Sequence, residues 1–557
     1  MTLTSALSPL LHASTSLRLV IFLILAPFLI QYLSTTFFYR RARSISKSKT
    51  PPTLPYSIPG IFHVFGLLRH GPPVFFANAI REYGDFAPFV IKAGPTHFLI
   101  IRSAEHVKKV FQSVKQMTVT DFHAQIYEKI MGTPKEAVQL YQDIGKGRKE
   151  SDAIDHAHLA LPRQYFSGTA LVSMVDVYIA TLRRNMSNKM IQEKFWTEIE
   201  DMWSFFQNEI ARATMETIFG SELLRMHPRI VRDFWEFDKN VEQLFRGLPR
   251  FMMPTAYNTR DRLVGNLSIW LQSVHPGTDF AKTAEEDPEW DAKSGSKFFQ
   301  ARDAVFANNT LDYQARAAEA LAIMQGSTSN TMPSTFWFIL ETLRNTELNK
   351  YIHSEIKGLF DPVSGKYDVG TLTSLPIIQS MHAEIGRLRM ATGTLRQCQV
   401  DGFQLDEDWS LPKGVQVMIF SHDLALNTPL WASARPQTVE RPLEEFWPER
   451  FIVPDKPARE KRGQIRTGRF SMEGIGALHS TFGGGSHLCP GRYLAKAIQA
   501  ATLVVLLCEY EVLLPDPESV EESMPPLREV AIGQIRPLEK VRVRIRKRRV
   551  GGDGKMA

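Results

Sequence analysis

The chain has 557 residues, of which 44% are hydrophobic, 22% charged and 10% aromatic, a balance that excludes global disorder and allows a sizeable core. The 66 basic and 59 acidic residues give a net charge of +7, with much of the excess near the two ends, which favours a membrane surface or an acidic partner over nucleic acid. Three cysteines occur, Cys398, Cys489 and Cys508, without a Cys-x-x-Cys pair. A disulfide framework and a four-thiolate zinc or iron–sulfur site are therefore excluded.

The N-terminal region is predicted to anchor the chain in a membrane. Residues 19–38 include thirteen Leu, Ile, Val or Phe and would form about 30 Å of helix, enough to cross a bilayer. A cleaved signal peptide and a buried core helix are the alternatives, but the stretch is long for a signal and no Ala-x-Ala-like site follows it. One basic residue precedes the stretch and five follow it by residue 49, which predicts a cytosolic remainder. In a eukaryotic cell this describes a single-pass protein of the endoplasmic reticulum membrane.

The pattern along the chain indicates a mainly α-helical protein with a small β portion. Apolar periodicity predicts helices over residues 172–190, 197–220, 230–247 and 312–345. Short apolar runs predict strands over residues 89–92, 97–102, 415–420 and 541–545. Polar stretches at 275–296 and 454–473 are interpreted as surface loops. The predicted order is a short lumenal N-terminus (1–18), a transmembrane anchor (19–39), a basic and proline-rich linker (40–60), one large domain (61–550) and a tail (551–557).

A glycine-rich loop, Phe482-Gly-Gly-Gly-Ser-His-Leu-Cys-Pro-Gly-Arg492, carries one of the three cysteines. Its glycines allow close approach to a flat, bulky ligand, and an apolar run that predicts a helix over 492–510 follows it. Cys489 would lie at or just before the N-terminus of that helix, where free N–H groups and the helix dipole favour a thiolate. A soft thiolate on such a loop suits haem iron. The alternatives are an inert buried cysteine and a phosphate-binding loop, although the Gly-x-x-x-x-Gly-Lys-Ser/Thr spacing of the latter is missing.

The spacing of this loop resembles the haem-binding motif of the cytochrome P450 superfamily, Phe-x-x-Gly-x-(Arg or His)-x-Cys-x-Gly. The matching residues are Phe482, Gly485, His487, Cys489 and Gly491. The resemblance implies a cytochrome P450 fold that binds haem b, with the Cys489 thiolate as the axial ligand of the iron. It also implies that His487 hydrogen-bonds a haem propionate, at a position where arginine is commoner.

Residues upstream match further features of the superfamily. Glu384 and Arg387 match its Glu-x-x-Arg motif, and Arg450 matches the arginine of its Pro-Glu-Arg-Phe segment. The resemblance implies that these three residues form a buried triad behind the haem. Residues 411–420, which begin Leu-Pro-Lys-Gly, are similar to the strand between those motifs. Arg396 stands where family members often pair an arginine with a haem propionate, and a solvated charge at a strand end is the alternative.

The helix that would activate oxygen departs from the superfamily pattern. Most members carry Ala/Gly-Gly-x-Asp/Glu-Thr-Thr, whereas this chain has Asn330 at the acid position and Thr331 at the alcohol position. Asparagine cannot donate a titrating proton, so proton delivery would depend on Thr331 and ordered water. Pro333 is expected to kink this helix. The Asn-Thr-x-Pro run resembles the branch that contains the sterol 7α- and 12α-hydroxylases and prostacyclin synthase, and a polar patch on a buried helix is the alternative.

The resemblance implies a membrane-bound haem-thiolate monooxygenase. Its expected partners are dioxygen, a lipophilic small molecule (a sterol, terpenoid or other secondary metabolite), membrane lipid, and NADPH-cytochrome P450 reductase as electron donor. No nucleic acid partner is expected, because the alternating basic run at 540–546 is interpreted as a terminal strand. Two other functions stay open: a haem-thiolate isomerase or dehydratase that acts on a peroxide without electron supply, and a non-catalytic, membrane-tethered haem protein.

Overall fold

The structure is a computed structural model that describes residues 15–142, 156–274, 289–455 and 465–548. Helices account for most of it. The α-helices are, in chain order, α1 (Thr15–Ala42), α2 (Val64–His70), α3 (Pro72–Tyr83), α4 (Ala104–Gln112), α5 (Thr120–Ile126), α6 (Lys135–Gln142), α7 (Leu161–Tyr165), α8 (Gly168–Ser187), α9 (Met202–Phe219), α10 (Ser221–Met226), α11 (Ile230–Asp238), α12 (Val241–Arg246), α13 (Pro254–Val274), α14 (Lys297–Asn308), α15 (Tyr313–Thr328), α16 (Thr331–Arg344), α17 (Thr346–Ile356), α18 (Val369–Ser374), α19 (Pro376–Arg389), α20 (Ser421–Ala425), α21 (Thr428–Ala434), α22 (Arg492–Val504) and α23 (Pro517–Glu522).

The strands are short and contribute a smaller share of the structure. They are β1 (Phe89–Ala93), β2 (Thr96–Ile100), β3 (Met117–Thr118), β4 (Thr197–Ile199), β5 (Trp290–Asp291), β6 (Gly295–Ser296), β7 (Phe360–Asp361), β8 (Lys366–Tyr367), β9 (Met390–Ala391), β10 (Gly393–Cys398), β11 (Phe403–Gln404), β12 (Ser410–Leu411), β13 (Gln416–Phe420), β14 (Ile452–Val453), β15 (Arg469–Phe470), β16 (Tyr510–Leu513), β17 (Gly533–Gln534) and β18 (Val543–Lys547). Short turns of 3-10 or π helix occur as well, among them Gly485–His487, His156–Ala160 and Val505–Glu509.

The chain folds into two compact units, and the first contains the five-stranded sheet, the largest in the described part of the chain. It comprises Met1–Val119, Thr392–Leu424 and Arg528–Ile532. Its main sheet has the strand order β1-β2-β13-β10-β3, in which β2 and β13 are parallel and the other neighbours antiparallel. Four of the five residues of β13 are buried, so this strand appears in the sequence as a continuous apolar run rather than an alternating one.

The second unit is mainly helical. It comprises Thr120–Ala391, Ala425–Leu527 and Gly533–Ala557. Helix α16 packs against α9, α19 and α22, and its residues 331–342 are all buried, polar side chains included. The sheet β16-β18-β4 lies near the end of the chain. In β18, Val543 and Ile545 are buried and Arg544 is exposed, which agrees with the interpretation of this basic run as a terminal strand.

Three predicted helices differ from those observed. Residues 197–199 form β4, which pairs with β18, and α9 begins only after Asp201, whose carboxylate accepts the N–H groups of Trp203 and Ser204. The segment 230–247 is divided into α11 and α12, and the segment 312–345 into α15 and α16. Each interruption spans only two residues, which is too short to disturb a hydrophobic periodicity averaged over several turns.

The two predicted surface loops lie partly outside the described residues, at 275–288 and 456–464. The described end of the first loop is the hairpin β5–β6. The described end of the second supplies β15, which pairs with β14. The first segment thus includes a strand pair and the second a single strand, which their polar composition did not indicate.

Helix α1 contains the predicted membrane anchor. Its first half exposes large apolar side chains, with Leu23 61% and Phe28 72% exposed, whereas Phe38 near its end is fully buried. Among the residues that the structure describes, the helical run Gly485–Glu509 is long and apolar enough to cross a membrane, but 72% of its apolar window is buried, as in a core helix. The transmembrane assignment of residues 19–39 and the predicted domain boundaries stay predictions.

Candidate active site

The loop that carries Cys489 closes on itself just before a helix. The backbone N–H of Cys489 donates to the Phe482 carbonyl at 2.9 Å. Gly483 and Gly485 have φ angles of +72° and +68°, which residues with a Cβ rarely adopt. Helix α22 begins at Arg492, with Gly491 as its N-cap. Cys489 therefore lies two residues before the N-cap, as the sequence predicted.

Burial and nearby hydrogen-bond donors shift the pKa of the Cys489 thiol in opposite directions. Burial raises its pKa above the ordinary value, while the backbone N–H groups of Gly491 and Arg492 and the Arg492 guanidinium lower it without reversing the shift. The free side chain is thus a thiol at neutral pH, and the two N–H groups are already aimed at the sulfur. A cation bound to the sulfur would convert it into a thiolate.

The other two cysteines are structural. Burial raises the pKa of Cys508 to about 11 and also raises that of Cys398. Cys508 lies in the π-helical turn Val505–Glu509, and the Cys398 Sγ donates to the Val400 carbonyl at 3.2 Å. Neither precedes a helix, so neither shares the setting of Cys489.

Contacts from distant parts of the second unit hold the Cys489 loop. The Phe482 ring stacks on His382 at a centroid distance of 5.4 Å, and Arg163 donates to the Ser486 carbonyl at 2.6 Å. The ring of His487 meets that of His123 edge-on at 6.2 Å. Sequence reasoning missed His382, Arg163 and His123, because their partners lie about 100 residues or more away along the chain.

The residues Glu384, Arg387 and Arg450 meet, and all three side chains are fully buried. The Glu384 carboxylate accepts two bonds from Arg387, at 2.7 and 2.9 Å, and one from the Nε of Arg450 at 3.0 Å. The backbone N–H of Trp447 donates to the same carboxylate at 3.0 Å. Burial raises the pKa of Glu384, but the two arginines outweigh it and hold the pKa at about 2. The result is an ionised carboxylate that fastens α19 to the segment around residue 450.

The remaining hydrogen bonds of the two arginines go to backbone carbonyls. Arg387 donates to the Ala425 carbonyl at 3.1 Å, and Arg450 donates to the carbonyls of Pro442 and Glu445 at 2.9 Å each. Buried guanidinium groups need such partners, since an unsatisfied buried charge is costly. The triad therefore fixes the course of an irregular segment as well as one helix.

The predicted oxygen-activating helix is interrupted where the acid motif lies. Helix α15 ends at Thr328 and α16 begins at Thr331. The sequence predicts that Pro333 kinks this helix, and the interruption falls at 329–330, while Pro333 itself occupies the first turn of α16. A proline ring clashes with the carbonyl four residues earlier, which here is that of Ser329. Pro333 thus separates the helices one turn before its own position.

The two residues at the acid and alcohol positions differ in exposure. Asn330 is exposed and its side chain makes no capping bond to α16, whereas Thr331 is buried. The Thr331 carbonyl accepts the hydroxyls of Ser334 at 2.9 Å and Thr335 at 2.7 Å. These bonds stabilise the first turn of α16 and thereby fix the position of Thr331, although Thr331 is the first residue of the helix.

Arg396 lies in the first unit, in the middle of β10. It is buried, so it is not the solvated strand-end charge considered as an alternative. Burial lowers its pKa to about 10, its Nη1 donates to the Leu395 carbonyl at 2.7 Å, and its guanidinium lies 5.6 Å from the centre of the Phe111 ring. Its pairing with a propionate stays a prediction.

Comparison with known proteins supplies the assignment that the geometry suggests. The sequence model of the family described as Cytochrome P450 matches residues 51–541. The chain is a cytochrome P450. Two fungal proteins named as cytochrome P450 monooxygenases are similar to it over most of their length. The cytochrome P450 monooxygenase fsoE of Humicola fuscoatra is 29% identical over 90% of this chain and 88% of its own length. The cytochrome P450 monooxygenase efuG of Hormonema carpetanum is 27% identical over 98% of this chain and 99% of its own.

A mammalian relative and a solved structure extend the comparison. The cholesterol 7-alpha-monooxygenase of Cricetulus griseus is 24% identical over 61% of this P450 and 65% of its own length. The structure of retinoic acid bound cyanobacterial CYP120A1 matches with a TM-score of 0.61 and 15% identity, covering 90% of this chain and 100% of that one. The P450 fold, the haem cofactor with a cysteine thiolate ligand and the haem-thiolate monooxygenase class predicted from the sequence are thereby confirmed.

The residues of this P450 fit a haem. A thiol flanked by two backbone N–H groups at the start of a helix is a donor set suited to a soft iron ligand. Within residues 315–342, Gly326 and Asn330 are the exposed positions, and a Cβ built on Gly326 would meet nothing within 4 Å. An otherwise buried helix thus leaves open space beside the residues that match the oxygen-activating motif.

Proposed function

We propose that Cys489 is the iron ligand of a membrane-anchored monooxygenase that acts on a lipophilic, sterol-like or terpenoid substrate. The observation that supports it best is the setting of Cys489, a half-buried thiol that accepts from two N–H groups at the start of α22. When bound, the haem supplies the redox chemistry that activates dioxygen. His487, Phe482, Gly485 and Gly491 would shape its cradle.

The chain's own residues divide the remaining tasks. The N–H groups of Gly491 and Arg492 stabilise negative charge on the sulfur. The triad of Glu384, Arg387 and Arg450 holds the protein behind the loop rigid. Thr331, fixed by the first turn of α16, orders the path by which protons arrive, and Asn330 offers a hydrogen-bonding amide without a titrating proton.

The membrane anchor is supported by helix α1. It has 28 residues, enough for about 42 Å of helix and therefore longer than the hydrocarbon core. Leu19, Ile24 and Leu29 are each more than half exposed, and apolar exposure on this scale suits lipid rather than water. We infer a single-pass protein of the endoplasmic reticulum with NADPH-cytochrome P450 reductase as its electron donor.

Removal of residues 1–30 tests the anchor. Ser34, which exchanges hydrogen bonds with the backbone of Tyr56, and the buried Phe38 remain in this variant. We therefore expect it to fold and to leave the membrane fraction after an alkaline carbonate wash. The full-length protein is expected to stay in the pellet, because about ten lost apolar residues contribute several kcal/mol to insertion. A variant without residues 551–557 is the control, and a pelleted 1–30 deletion with an intact haem spectrum would contradict the anchor.

The substrate class is inferred from the relatives and from the membrane location. One relative is named for cholesterol, and two fungal relatives that cover most of the chain are named as monooxygenases. A hydrophobic substrate would also be concentrated in the bilayer to which the protein is anchored. The choice among sterols, terpenoids and other secondary metabolites needs a direct assay.

Reconstitution with a reductase against a lipid extract tests reaction and substrate together. We expect NADPH-dependent products heavier by one oxygen atom, detected by mass analysis. Turnover of a lipid peroxide without NADPH would instead favour the isomerase or dehydratase, which the Asn-Thr-x-Pro resemblance keeps open. A protein that binds haem, shows no spectral shift with any lipid and consumes no NADPH would favour a non-catalytic haem protein.

A further inference from the structure

Helix α11 places a carboxylate at the break between α15 and α16. Asp238, the last residue of α11, accepts a hydrogen bond from the Ser329 hydroxyl at 2.6 Å and another from the Gln325 side-chain amide at 2.9 Å. Gln325 and Ser329 are four residues apart, so they lie on one face of the helix. The contact joins α11 to the residue directly before Asn330.

Two buried polar atoms on the same turn indicate that a small polar molecule, such as a water, binds there. The Thr328 hydroxyl and the Gln325 side-chain oxygen are buried and have no hydrogen-bond partner among the described residues, and Thr328 is only 1% exposed. Buried polar atoms in folded proteins almost always have a partner, commonly an ordered water. One turn at the end of α15 thus carries the Thr328 and Ser329 hydroxyls and the Gln325 amide oxygen, and the Asp238 carboxylate of α11 lies against it.

We propose that Asp238 replaces, from a different helix, the acid that the sequence lacks at position 330. It is a positioning residue that acts through Ser329, and the inference rests on the monooxygenase class rather than on any particular substrate. Asp238 is half-buried, so its carboxyl can exchange protons with solvent. Asn330 cannot fill this role because an amide does not titrate near neutral pH.

Each proton that this path delivers is replaced by one from solvent. Asp238 takes a proton from solvent and gives it to the Ser329 oxygen, which releases its own proton to water held by the Thr328 hydroxyl beside Asn330. The Asp238 carboxylate then takes another proton from solvent. Two electrons and two protons reduce dioxygen to hydrogen peroxide, whereas four of each reduce it to two waters. NADPH supplies the electrons through the reductase, and impaired proton delivery increases the share of peroxide.

The experiment compares Asp238→Asn with Asp238→Ala in the haem-loaded, full-length protein. Dioxygen is the probe, so no lipid is needed. The measured quantity is the share of consumed dioxygen recovered as hydrogen peroxide with reductase and NADPH. We expect this share to rise at least about threefold in both variants. The rise is much smaller than the rate loss typical when a general acid is removed, because Thr331 and water still deliver protons. Thr331→Ala serves as the positive control.

A second readout separates proton supply from mere support of the turn. In Asp238→Asn the side-chain amide carbonyl can still accept both hydrogen bonds, so hydrogen exchange of backbone amides 325–332 is expected to match the wild type. Asp238→Ala is expected to exchange faster. Glu236→Gln removes a carboxylate from the same helix, one that pairs with Arg262 at 2.5 Å, and is expected to change neither measurement.

A third measurement is independent of the reductase. Oxidation of guaiacol driven by added hydrogen peroxide needs no proton from solvent, since the peroxide brings two, but one of them must move from one oxygen to the other at the same place. We expect Asp238→Asn to slow this transfer about tenfold. If the wild type oxidises no NADPH, the proposed electron supply fails while this assay still tests Asp238. Peroxide shares and guaiacol rates at wild-type values in Asp238→Asn would overturn the proposal. Losses accompanied by faster exchange in that variant would also overturn it, since they would assign Asp238 to structure alone.

Discussion

Replacement of Cys489 by serine is expected to abolish the strongly red-shifted Soret band of the reduced carbon monoxide complex. The band requires a thiolate on the iron. A serine hydroxyl has a far higher pKa than a thiol and stays protonated, even with the N–H groups of Gly491 and Arg492 aimed at it. The loss is expected to be complete, with monooxygenase activity lost alongside it.

Cys398→Ser is the matched control for this substitution. Cys398 is buried and donates to the Val400 carbonyl, a bond that a serine hydroxyl can also make, so the band is expected to persist. A red-shifted band that survives in Cys489→Ser would refute axial ligation by Cys489. Far-ultraviolet circular dichroism of both variants checks that the fold is intact.

The Cys489 loop could be predicted from the sequence because its determinants are local. The glycine spacing, the cysteine and the start of the following helix occupy eleven consecutive residues, and the structure places Cys489 just before α22. The pairing of Glu384 with Arg387 is local too, because residues three apart share a helical face. Bringing Arg450 to them required the resemblance to a family, since 63 residues separate it from Arg387 in the chain.

Other features depend on contacts that a single sequence does not reveal. The apolar pattern predicts a helix that includes residues 197–199, but pairing with β18, almost 350 residues later, makes them a strand. Nothing in the sequence around Asp238 indicates a role in this site. Its partners Gln325 and Ser329 lie about 90 residues later, and only the fold brings them to it.

Loss of the triad's carboxylate is expected to destabilise the second unit strongly. Glu384→Ala leaves Arg387 and Arg450 buried without their shared counter-charge, and breaking such a pair costs about 3–5 kcal/mol. The free energy of unfolding, from urea titrations at pH 7 followed by circular dichroism and by the Soret band, is expected to fall by that amount, with haem lost early. Glu347→Ala removes an exposed carboxylate that pairs with Lys350 at 3.0 Å and is expected to cost less than about 1 kcal/mol.

The pH dependence of stability distinguishes the charge of Glu384 from its packing. The folded-state pKa of about 2 lies below the ordinary value of 4.5, so the ionised form stabilises the fold. This contribution is fully present above pH 4.5 and is lost as the pH falls toward 2, and a shift of this size corresponds to about 3 kcal/mol. In Glu384→Gln, which keeps the shape of the side chain, the unfolding free energy should fall less steeply between those pH values than in the wild type. Parallel pH profiles for the two proteins would show that the carboxylate charge does not stabilise the fold, and that the triad acts through shape and hydrogen bonds alone.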